Sequence, residues 1–227
     1  MNYAIADIHG GSRTFKALLD RINLRHSDRL FLLGDYVDRG PDSRGVLYTI
    51  SRLMQSGYDI RALRGNHDDA LLRTVRNDHD LFSAHYRVEW GWHTLQSFGI
   101  DEPEEMPAEY VNFLESLPYL LVEDEYIFVH AGLDMRKADP LLNSDPIDML
   151  WARSRVVDKR KLGGRTLVTG HVIDSLDVIR DSLNTDNIRL DNGAFTNQQP
   201  DQGNLVALNL DTKELIVQPW LDGESVY

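Results

Sequence analysis

Five short apolar segments of the chain each run into residues that can bind a metal ion or move a proton. The segments end in the motifs ADIHG, GDYVDRG, RGNHD, FVHAG and VTGH. The candidate ligands within them are Asp7, His9, Asp35, Asn66, His130 and His171. Carboxylate, amide and imidazole ligands of this kind suit Mn, Fe or Zn. Because the chain has no cysteine, a thiolate site is excluded.

The second segment, LFLLGDYVDRGPDS, shows why so much charge after a strand needs an explanation. The apolar run ends at Gly34, and Asp35, Asp38 and Arg39 follow within five positions. Two neighbouring carboxylates repel each other, and burying them costs free energy unless a positive group compensates. This motif alone fits a salt-bridged turn as well as a cation site. Its recurrence in related forms at five segments favours the cation.

Alternating strand and helix patterns in the first 70 residues would bring these motifs together. Helical spacing of apolar residues predicts helices over 13–22 and 43–57, the second capped by Ser43 and ended by Gly57. Apolar runs before, between and after them predict strands, and a βαβαβ order predicts a parallel sheet covered by helices. Ligands of such sheets bind at the carboxyl ends of the strands, so we expect the motifs to meet at one edge.

The remaining chain is predicted to add helices and then a second sheet. Residues 71–118 read as a helical insertion rather than a separate domain, so we expect a single domain over residues 1–227. From Tyr119 onward strand patterns dominate. We expect them, including the hairpin NLVALNLDTKELIVQ, to form a second, mixed or antiparallel sheet.

Composition limits the class of partner. The 227 residues are 42% hydrophobic and 26% charged, which is typical of a soluble globular protein. A formal net charge of −12 argues against nucleic acid and against anionic membranes as partners. The N-terminus lacks the pattern of a signal peptide and no segment approaches about 18 consecutive apolar residues, so a cytoplasmic location is expected. The oligomeric state is left open.

In sequence order, the motifs DIHG, GDYVDRG, RGNHD, HAGL and GH resemble those of the calcineurin-like metallophosphoesterase superfamily. The forms GDYVDRG and RGNH look like the branch of the serine/threonine phosphoprotein phosphatases, and smaller bacterial and phage members and symmetrical diadenosine tetraphosphatases share them. The chain departs at Ala6, where the branch usually has Gly, at Asp68, where it often has Glu, and after His171, where VID replaces Thr-Pro. The resemblance implies an α/β fold with a central β-sandwich of two mixed sheets flanked by helices.

The resemblance also implies a site for two divalent metal ions, Mn²⁺ first, with Fe or Zn as alternatives. One ion would be held by Asp7, His9 and Asp35. The residues implied for the other ion are Asp35, Asn66, His130 and His171. Asp35 would then bridge the ions, and a hydroxide shared by them would attack phosphorus in line.

Further residues of the same motifs would act on the substrate. By the resemblance, His67 would be the general acid for the leaving oxygen, and Asp38 would hold its imidazole. Arg39 would bind phosphate oxygens, a task that suits the planar guanidinium group. Asn66 is assigned to substrate binding as well as to metal.

A second arginine for phosphate is expected from the segment DMLWARSRV, which resembles the Leu-Trp-x-Arg segment of the family. Arg153 is favoured and Arg155 is the alternative. Arg64 is expected to brace a turn through a salt bridge rather than to join the site. Asp191 is expected to support the site from behind.

Three functions compete. The first is a phosphomonoesterase that acts on phosphoproteins or on small phosphoesters, with a phosphoprotein phosphatase for phosphoserine, phosphothreonine or phosphotyrosine preferred. The second is a symmetrical diadenosine tetraphosphate hydrolase, which acts on an anhydride with the same machinery. The third is a metal-binding scaffold without turnover, which the complete ligand set disfavours. The monoesterase is preferred here, because the chain is short for a tetraphosphatase and its insertion shows no obvious adenine-binding pattern.

Overall fold

The computed structural model describes residues 1–78 and 81–223. Its strands in chain order are β1 (Asn2–Ile5), β2 (Arg29–Leu32), β3 (Asp59–Ala62), β4 (Leu120–Val122), β5 (Tyr126–Val129), β6 (Thr166–Thr169), β7 (Asn187–Arg189), β8 (Asn204–Asn209) and β9 (Leu215–Pro219). In the described residues they form one sheet of order β3-β2-β1-β8-β9 and another of order β4-β5-β6-β7.

Helices connect the strands and fill the insertion. The α-helices are α1 (Ser12–Ile22), α2 (Ser43–Gln55), α3 (Asn66–Val75), α4 (Leu81–His85), α5 (Trp92–Phe98), α6 (Ala108–Ser116), α7 (Pro140–Asn143), α8 (Pro146–Trp151) and α9 (Leu176–Ser182). A π-helix spans Tyr86–Trp90, and 3₁₀-helices span Pro103–Glu105 and Lys159–Leu162. Across 71–118 the described residues are therefore mostly helical, as predicted.

The first three strands are parallel and level at their carboxyl ends. Ile5 of β1 pairs with Leu32 of β2, and Leu32 pairs in turn with Ala62 of β3. In the second sheet β5, β6 and β7 are parallel, and β4 is antiparallel to β5. Both sheets are therefore mixed, and the motifs that follow their parallel strands emerge at common edges.

The hairpin of β8 and β9 lies in the first sheet, and its predicted place in the second sheet was wrong. Strand β8 runs antiparallel to β1, with Tyr3 opposite Asn209. The reason lies in its burial on both faces: Leu205 packs with the helix-covered core and Val206 with the core between the sheets. A strand with two apolar faces fits an interior position beside β1 better than a sheet edge.

Alternation of side chains builds the layers. In β2, Leu30 and Leu32 pack under the helices, whereas Phe31 points at the second sheet. In β5, Phe128 points back, and the rings of Phe31 and Phe128 stack with centroids 4.1 Å apart. Since successive strand side chains point to opposite faces, two sheets with these patterns bury a common core. The predicted α/β sandwich flanked by helices is confirmed.

The cap of helix α2 lies one residue earlier than the sequence pattern suggested. The side chain of Asp42 caps it and accepts the Gly45 N–H at 2.8 Å, so Ser43 is not the cap. Gly57 follows the helix end with a φ of 86°, a left-handed conformation that glycine adopts without strain. The Ser43 hydroxyl turns inward instead, 3.1 Å from the backbone nitrogen of Asp38.

No helix in the described part of the chain is long and apolar enough to cross a membrane. The predicted extent of the domain and the cytoplasmic location stay predictions.

Candidate active site

The motifs converge on a cavity of about 340 Å³ at the carboxyl ends of the parallel strands. The predicted site residues that line it are His9, Asp35, Arg39, Asn66, His67, Arg153 and His171. Asp7 and His130 are buried next to Asp35, with which they form a possible metal-binding group. Asp38 is fully buried and contacts His67. All of the predicted residues therefore lie in or directly behind this cavity.

Asp35 lies at the centre of the cluster. Its Oδ2 is 3.4 Å from Nε2 of His9, and its Oδ1 is 3.5 Å from Nε2 of His130. Two groups of potential metal ligands share it, one with His9 and His67 and one with Asp7 and His130, with ligand atoms within 4.8 Å of one another. These groupings differ from the predicted division of ligands between two ions. They agree with it in making Asp35 the common member.

Backbone carbonyls orient the imidazoles of the cluster. Nδ1 of His9 lies 3.0 Å from the carbonyl oxygen of Val37, and Nδ1 of His130 lies 2.8 Å from that of Leu33. A carbonyl only accepts, so each Nδ1 carries the hydrogen and each Nε2 presents a lone pair toward Asp35. Histidines that bind metals are held in this way, with the second nitrogen donating to a carbonyl or carboxylate.

Two histidine rings also meet at the side chain of Asn66. Its Oδ1 is 2.8 Å from Nε2 of His130 and 2.9 Å from Nδ1 of His171. The other ring nitrogen of His171 is buried and has no hydrogen-bond partner among residues 1–78 and 81–223. A buried polar atom without a partner is costly. A metal ion in reach of these nitrogen and oxygen atoms would remove that cost.

The charge balance of the cluster also fits a cation. Burial, with the nearby carboxylates of Asp191 and Asp35, raises the pKa of Asp7 well above its usual range. Burial opposes the charged form of Asp35 as well, but His67, whose own pKa is raised, and the His67 backbone N–H that donates to Oδ1 at 3.0 Å help to hold the pKa of Asp35 below the usual range. Burial lowers the pKa of His9 and of His171 to about 3, so both rings are neutral, as metal ligands must be. The donor set thus fits divalent metal ions.

Several site residues have a left-handed backbone. The φ values are 53° at Asp7, 46° at His9, 55° at Asp35, 68° at Asp38, 67° at Arg39 and 67° at His171. Non-glycine residues adopt this region rarely, and clusters of such residues mark functional sites. Here the conformation turns the chain sharply after β1, β2 and β6, so that several side chains of one motif face the same cavity.

Close backbone approach brings the strand ends together. A β-carbon on Gly65 would overlap the carboxylate of Asp35, and one on Gly170 would overlap that of Asp7. Gly170 follows β6 of the second sheet and Asp7 follows β1 of the first, so this contact joins the two sheets at the site. Only glycine allows that approach.

Asp68, which stands where the branch often has Glu, links two strand ends. Its carboxylate accepts the backbone N–H groups of Asp35 at 2.9 Å, Tyr36 at 3.0 Å and Gly65 at 2.9 Å. The shorter side chain therefore serves to hold the second motif against the third.

His67 and Asp38 form a buried pair. Nδ1 of His67 donates to Oδ2 of Asp38 at 2.7 Å, which leaves Nε2 of His67 for the cavity. Burial disfavours the imidazolium form, but the carboxylates of Asp35 and Asp38 outweigh it and raise the pKa of His67. Oδ1 of Asp38 accepts from the hydroxyls of Thr94 at 2.6 Å and Tyr86 at 3.0 Å. These two residues of the insertion were missed, since no local pattern signals so distant a contact.

The arginines singled out in the sequence differ in what they contact. Arg39 and Arg153 line the cavity. Arg155 donates to Asp174 at 2.5 Å, which places it in an ion pair away from the cavity lining. Arg64 donates to Asp69 at 3.1 Å and to the carbonyl oxygens of Leu114 and Glu115, which confirms its predicted bracing role.

Asp191 lies in the cavity wall, where its Oδ1 accepts the Gly193 N–H at 2.7 Å. Burial raises the pKa of its carboxyl to about 7, against the opposing effect of that hydrogen bond. The wall further includes Trp90, Trp151 and Phe195, aromatic residues to which the sequence pattern assigned no role. Trp151 belongs to the segment DMLWARSRV, which was the available signal for it.

Comparison with known proteins shows which family the chain belongs to. The family model described as Calcineurin-like phosphoesterase matches residues 3–195. The chain belongs to this family. The match takes in every predicted metal ligand and both members of the His67–Asp38 pair, and it confirms the superfamily that the motifs indicated.

Curated relatives of this calcineurin-like phosphoesterase include proteins named "Bis(5'-nucleosyl)-tetraphosphatase, symmetrical". The relative from Nitrosospira multiformis is 35% identical over 132 residues, which cover 58% of this chain and 43% of that protein. The relative from Delftia acidovorans is 48% identical over 75 residues, which cover 33% of this chain and 26% of that protein. The matched part of the chain thus spans less than half the length of these relatives.

Solved structures share the fold over nearly the whole chain. A structure titled as a putative diadenosine tetraphosphatase has a TM-score of 0.68 and 21% identity, and covers 98% of this chain and 94% of its own. The cold-active protein-tyrosine phosphatase of a psychrophilic Shewanella has a TM-score of 0.61 and 16% identity, with 96% and 80% covered. At these identities the likeness shows the fold alone.

Proposed function

We propose that this protein is a metal-dependent phosphoesterase that hydrolyses symmetrical dinucleoside tetraphosphates such as diadenosine tetraphosphate. The observation that carries the reaction class is the buried cluster around Asp35, which opens on a cavity lined by Arg39 and Arg153. The names of relatives that are 31–48% identical support the substrate. They favour the tetraphosphatase reading over the phosphoprotein phosphatase that the sequence alone placed first.

Two divalent metal ions are proposed at the Asp35 cluster, with Mn²⁺ first and Fe or Zn as alternatives. The residues that would hold them are Asp7, His9, Asp35, Asn66, His130 and His171. When bound, such ions neutralise buried carboxylates and lower the pKa of water toward neutrality.

The protein's own residues orient the substrate. Arg39 and Arg153 present guanidinium groups to the cavity, where each can bind two oxygens of one phosphate group. A tetraphosphate has several negative charges, and two arginines beside a cation site would hold its central phosphates over the cluster. Asn66 lines the same cavity and can donate its amide hydrogens to a phosphate oxygen.

His67 is proposed to give a proton to the leaving oxygen. Its Nδ1 is engaged by Asp38 at 2.7 Å, so the proton that faces the cavity is on Nε2. The raised pKa of His67 keeps this proton in place until the leaving group takes it. Asp38 holds the ring in position and stays out of the cavity.

The test is a comparison of substrates on metal-loaded protein. We expect diadenosine tetraphosphate to yield two molecules of ADP, measured by chromatography of the nucleotides. Phosphoserine and phosphotyrosine peptides should react with a lower kcat/KM. Faster turnover of the peptides would favour the phosphoprotein phosphatase hypothesis instead. AMP and ATP as products would rule out symmetrical cleavage. Chelator-treated protein should be inactive on every substrate and recover with Mn²⁺.

A further inference from the structure

Two tryptophans from distant parts of the chain meet in the wall of the active-site cavity. Trp90 ends the π-helix of the insertion, and Trp151 ends helix α8. Their ring centroids lie 6.0 Å apart with 32° between the planes, and both rings line the cavity. Neither indole can serve as a metal ligand or a proton donor in the proposed reaction. We call this pair of rings the aromatic wall.

The aromatic wall lies beside the proposed proton donor. The ring of Trp90 lies 5.1 Å from that of His67, the proposed proton donor, and the ring of Trp151 lies 5.9 Å from that of His171. A leaving oxygen must touch Nε2 of His67 to receive its proton. The part of the leaving group next to that oxygen therefore lies within reach of the aromatic wall.

We propose that the aromatic wall stacks a nucleobase of the substrate, an inference that rests on the proposed function and names the residues that select its nucleotide part. In a nucleoside diphosphate leaving group, a diphosphate and a ribose separate the leaving oxygen from the base. A base on such a linker can reach the indole of Trp90, whose ring lies 5.1 Å from that of His67. Bases stack readily on tryptophan because both have extended π-faces.

The chemistry of the wall also defines its specificity. Stacking uses the face of the base rather than the hydrogen-bonding groups at its edge, so it distinguishes bases poorly. We therefore expect the wall to favour nucleotides over inorganic phosphates and to treat adenine and guanine alike. Arg39 and Arg153 bind the phosphates in either case.

The alternative is that Trp90 merely packs over His67 and steadies it. Such a role would slow the turnover of every substrate and would not distinguish inhibitors that have a base from inhibitors that lack one. A role in base stacking affects only ligands that have a base. The ratio of affinities for ADP and for inorganic pyrophosphate separates the two, since both ligands present a diphosphate.

The experiment measures competitive inhibition of p-nitrophenyl phosphate hydrolysis by ADP and by pyrophosphate, at constant free Mn²⁺. Wild-type protein should bind ADP more tightly than pyrophosphate. In Trp90→Ala the ratio of the affinity for ADP to the affinity for pyrophosphate should fall about 10-fold or more, while the inhibition constant of pyrophosphate changes little. Trp90→Phe should keep most of the wild-type ratio. Trp92→Ala is the matched control, because Trp92 is 63% exposed and is not among the described residues that line the cavity. Quenching of tryptophan fluorescence by ADP, absent with pyrophosphate, gives a second readout.

Equal inhibition of the wild type by ADP and pyrophosphate would overturn the inference. So would an equal loss of affinity for both ligands in Trp90→Ala. Circular dichroism and metal content of each variant show whether it has folded. The proposed function fails separately: wild-type protein that prefers ADP but leaves diadenosine tetraphosphate intact would keep the stacking site and reject the substrate.

Discussion

The strand ends and the helical insertion contribute to the same cavity in different ways. The strand ends supply Asp7 and Asp35, together with His9 and His130, whose rings are oriented by hydrogen bonds to backbone carbonyls. The insertion supplies Thr94, which holds Asp38, and Trp90, which lies in the wall. We therefore expect the strand ends to hold metal without the insertion, and we expect proton transfer and substrate choice to depend on the insertion. Variants in the two regions should therefore fail in different measurements.

The largest effect is expected at the centre of the strand-end region. Asp35→Asn removes the carboxylate that both ligand groups share, so metal content and rate should fall together. We expect kcat/KM to drop by at least about 10⁴-fold, because metal ions contribute several kcal/mol of transition-state stabilisation. Metal analysis and steady-state kinetics measure both. Asp177→Asn, at an 86% exposed side chain, is the control. Unchanged metal content in Asp35→Asn would contradict the central role of Asp35.

His67 lies where the two regions meet, and it should separate rate from metal. In His67→Asn we expect turnover to slow by about 10²–10⁴-fold while the metal stays bound. The loss should be smaller with p-nitrophenyl phosphate, whose leaving group needs little help from a proton donor, than with an alkyl phosphate. Loss of metal from this variant would show that His67 is a ligand, as its membership of one ligand group would allow.

Arg153 and its neighbour Arg155 test the substrate side of the comparison. Removal of Arg153 should raise KM by about 10- to 100-fold, since hydrogen bonds to charged groups contribute roughly 1.5–3 kcal/mol. Arg155→Ala is the matched control, because its guanidinium pairs with Asp174. A larger rise in KM for Arg155→Ala than for Arg153→Ala would reverse this assignment.

The smallest effect is expected in the insertion itself. Thr94→Val keeps the shape of the side chain but removes the hydroxyl that donates to Asp38 at 2.6 Å. We expect kcat to fall by about 3- to 30-fold with unchanged metal content, because Tyr86 still donates to the same oxygen. The loss should again be greater for alkyl than for p-nitrophenyl leaving groups. An equal loss for both would mean that Thr94 acts on the fold rather than on the proton donor.

Much of the fold could be read from local pattern. Leu30 and Phe31 alternate between the two faces of β2, and the apolar stripe of α1 is buried as its spacing predicts. The position of the β8–β9 hairpin in the sheets could not be predicted. The apolar pattern of a strand shows that both of its faces are buried, but it does not show which strand lies beside it. The cap of α2 was misplaced by one residue, since Asp42 and Ser43 are both good capping residues.

The sequence by itself determined the types and the order of the candidate ligands, because each motif is a run of neighbours that follows one strand and needs only the sheet edge to meet the others. Only the tertiary structure decided that Arg155 pairs with Asp174 while Arg153 lines the cavity. It likewise decided that Thr94 holds Asp38 and that Trp90 meets Trp151. These are contacts between segments far apart along the chain, and local spacing contains no information about which distant side chain fills a given space.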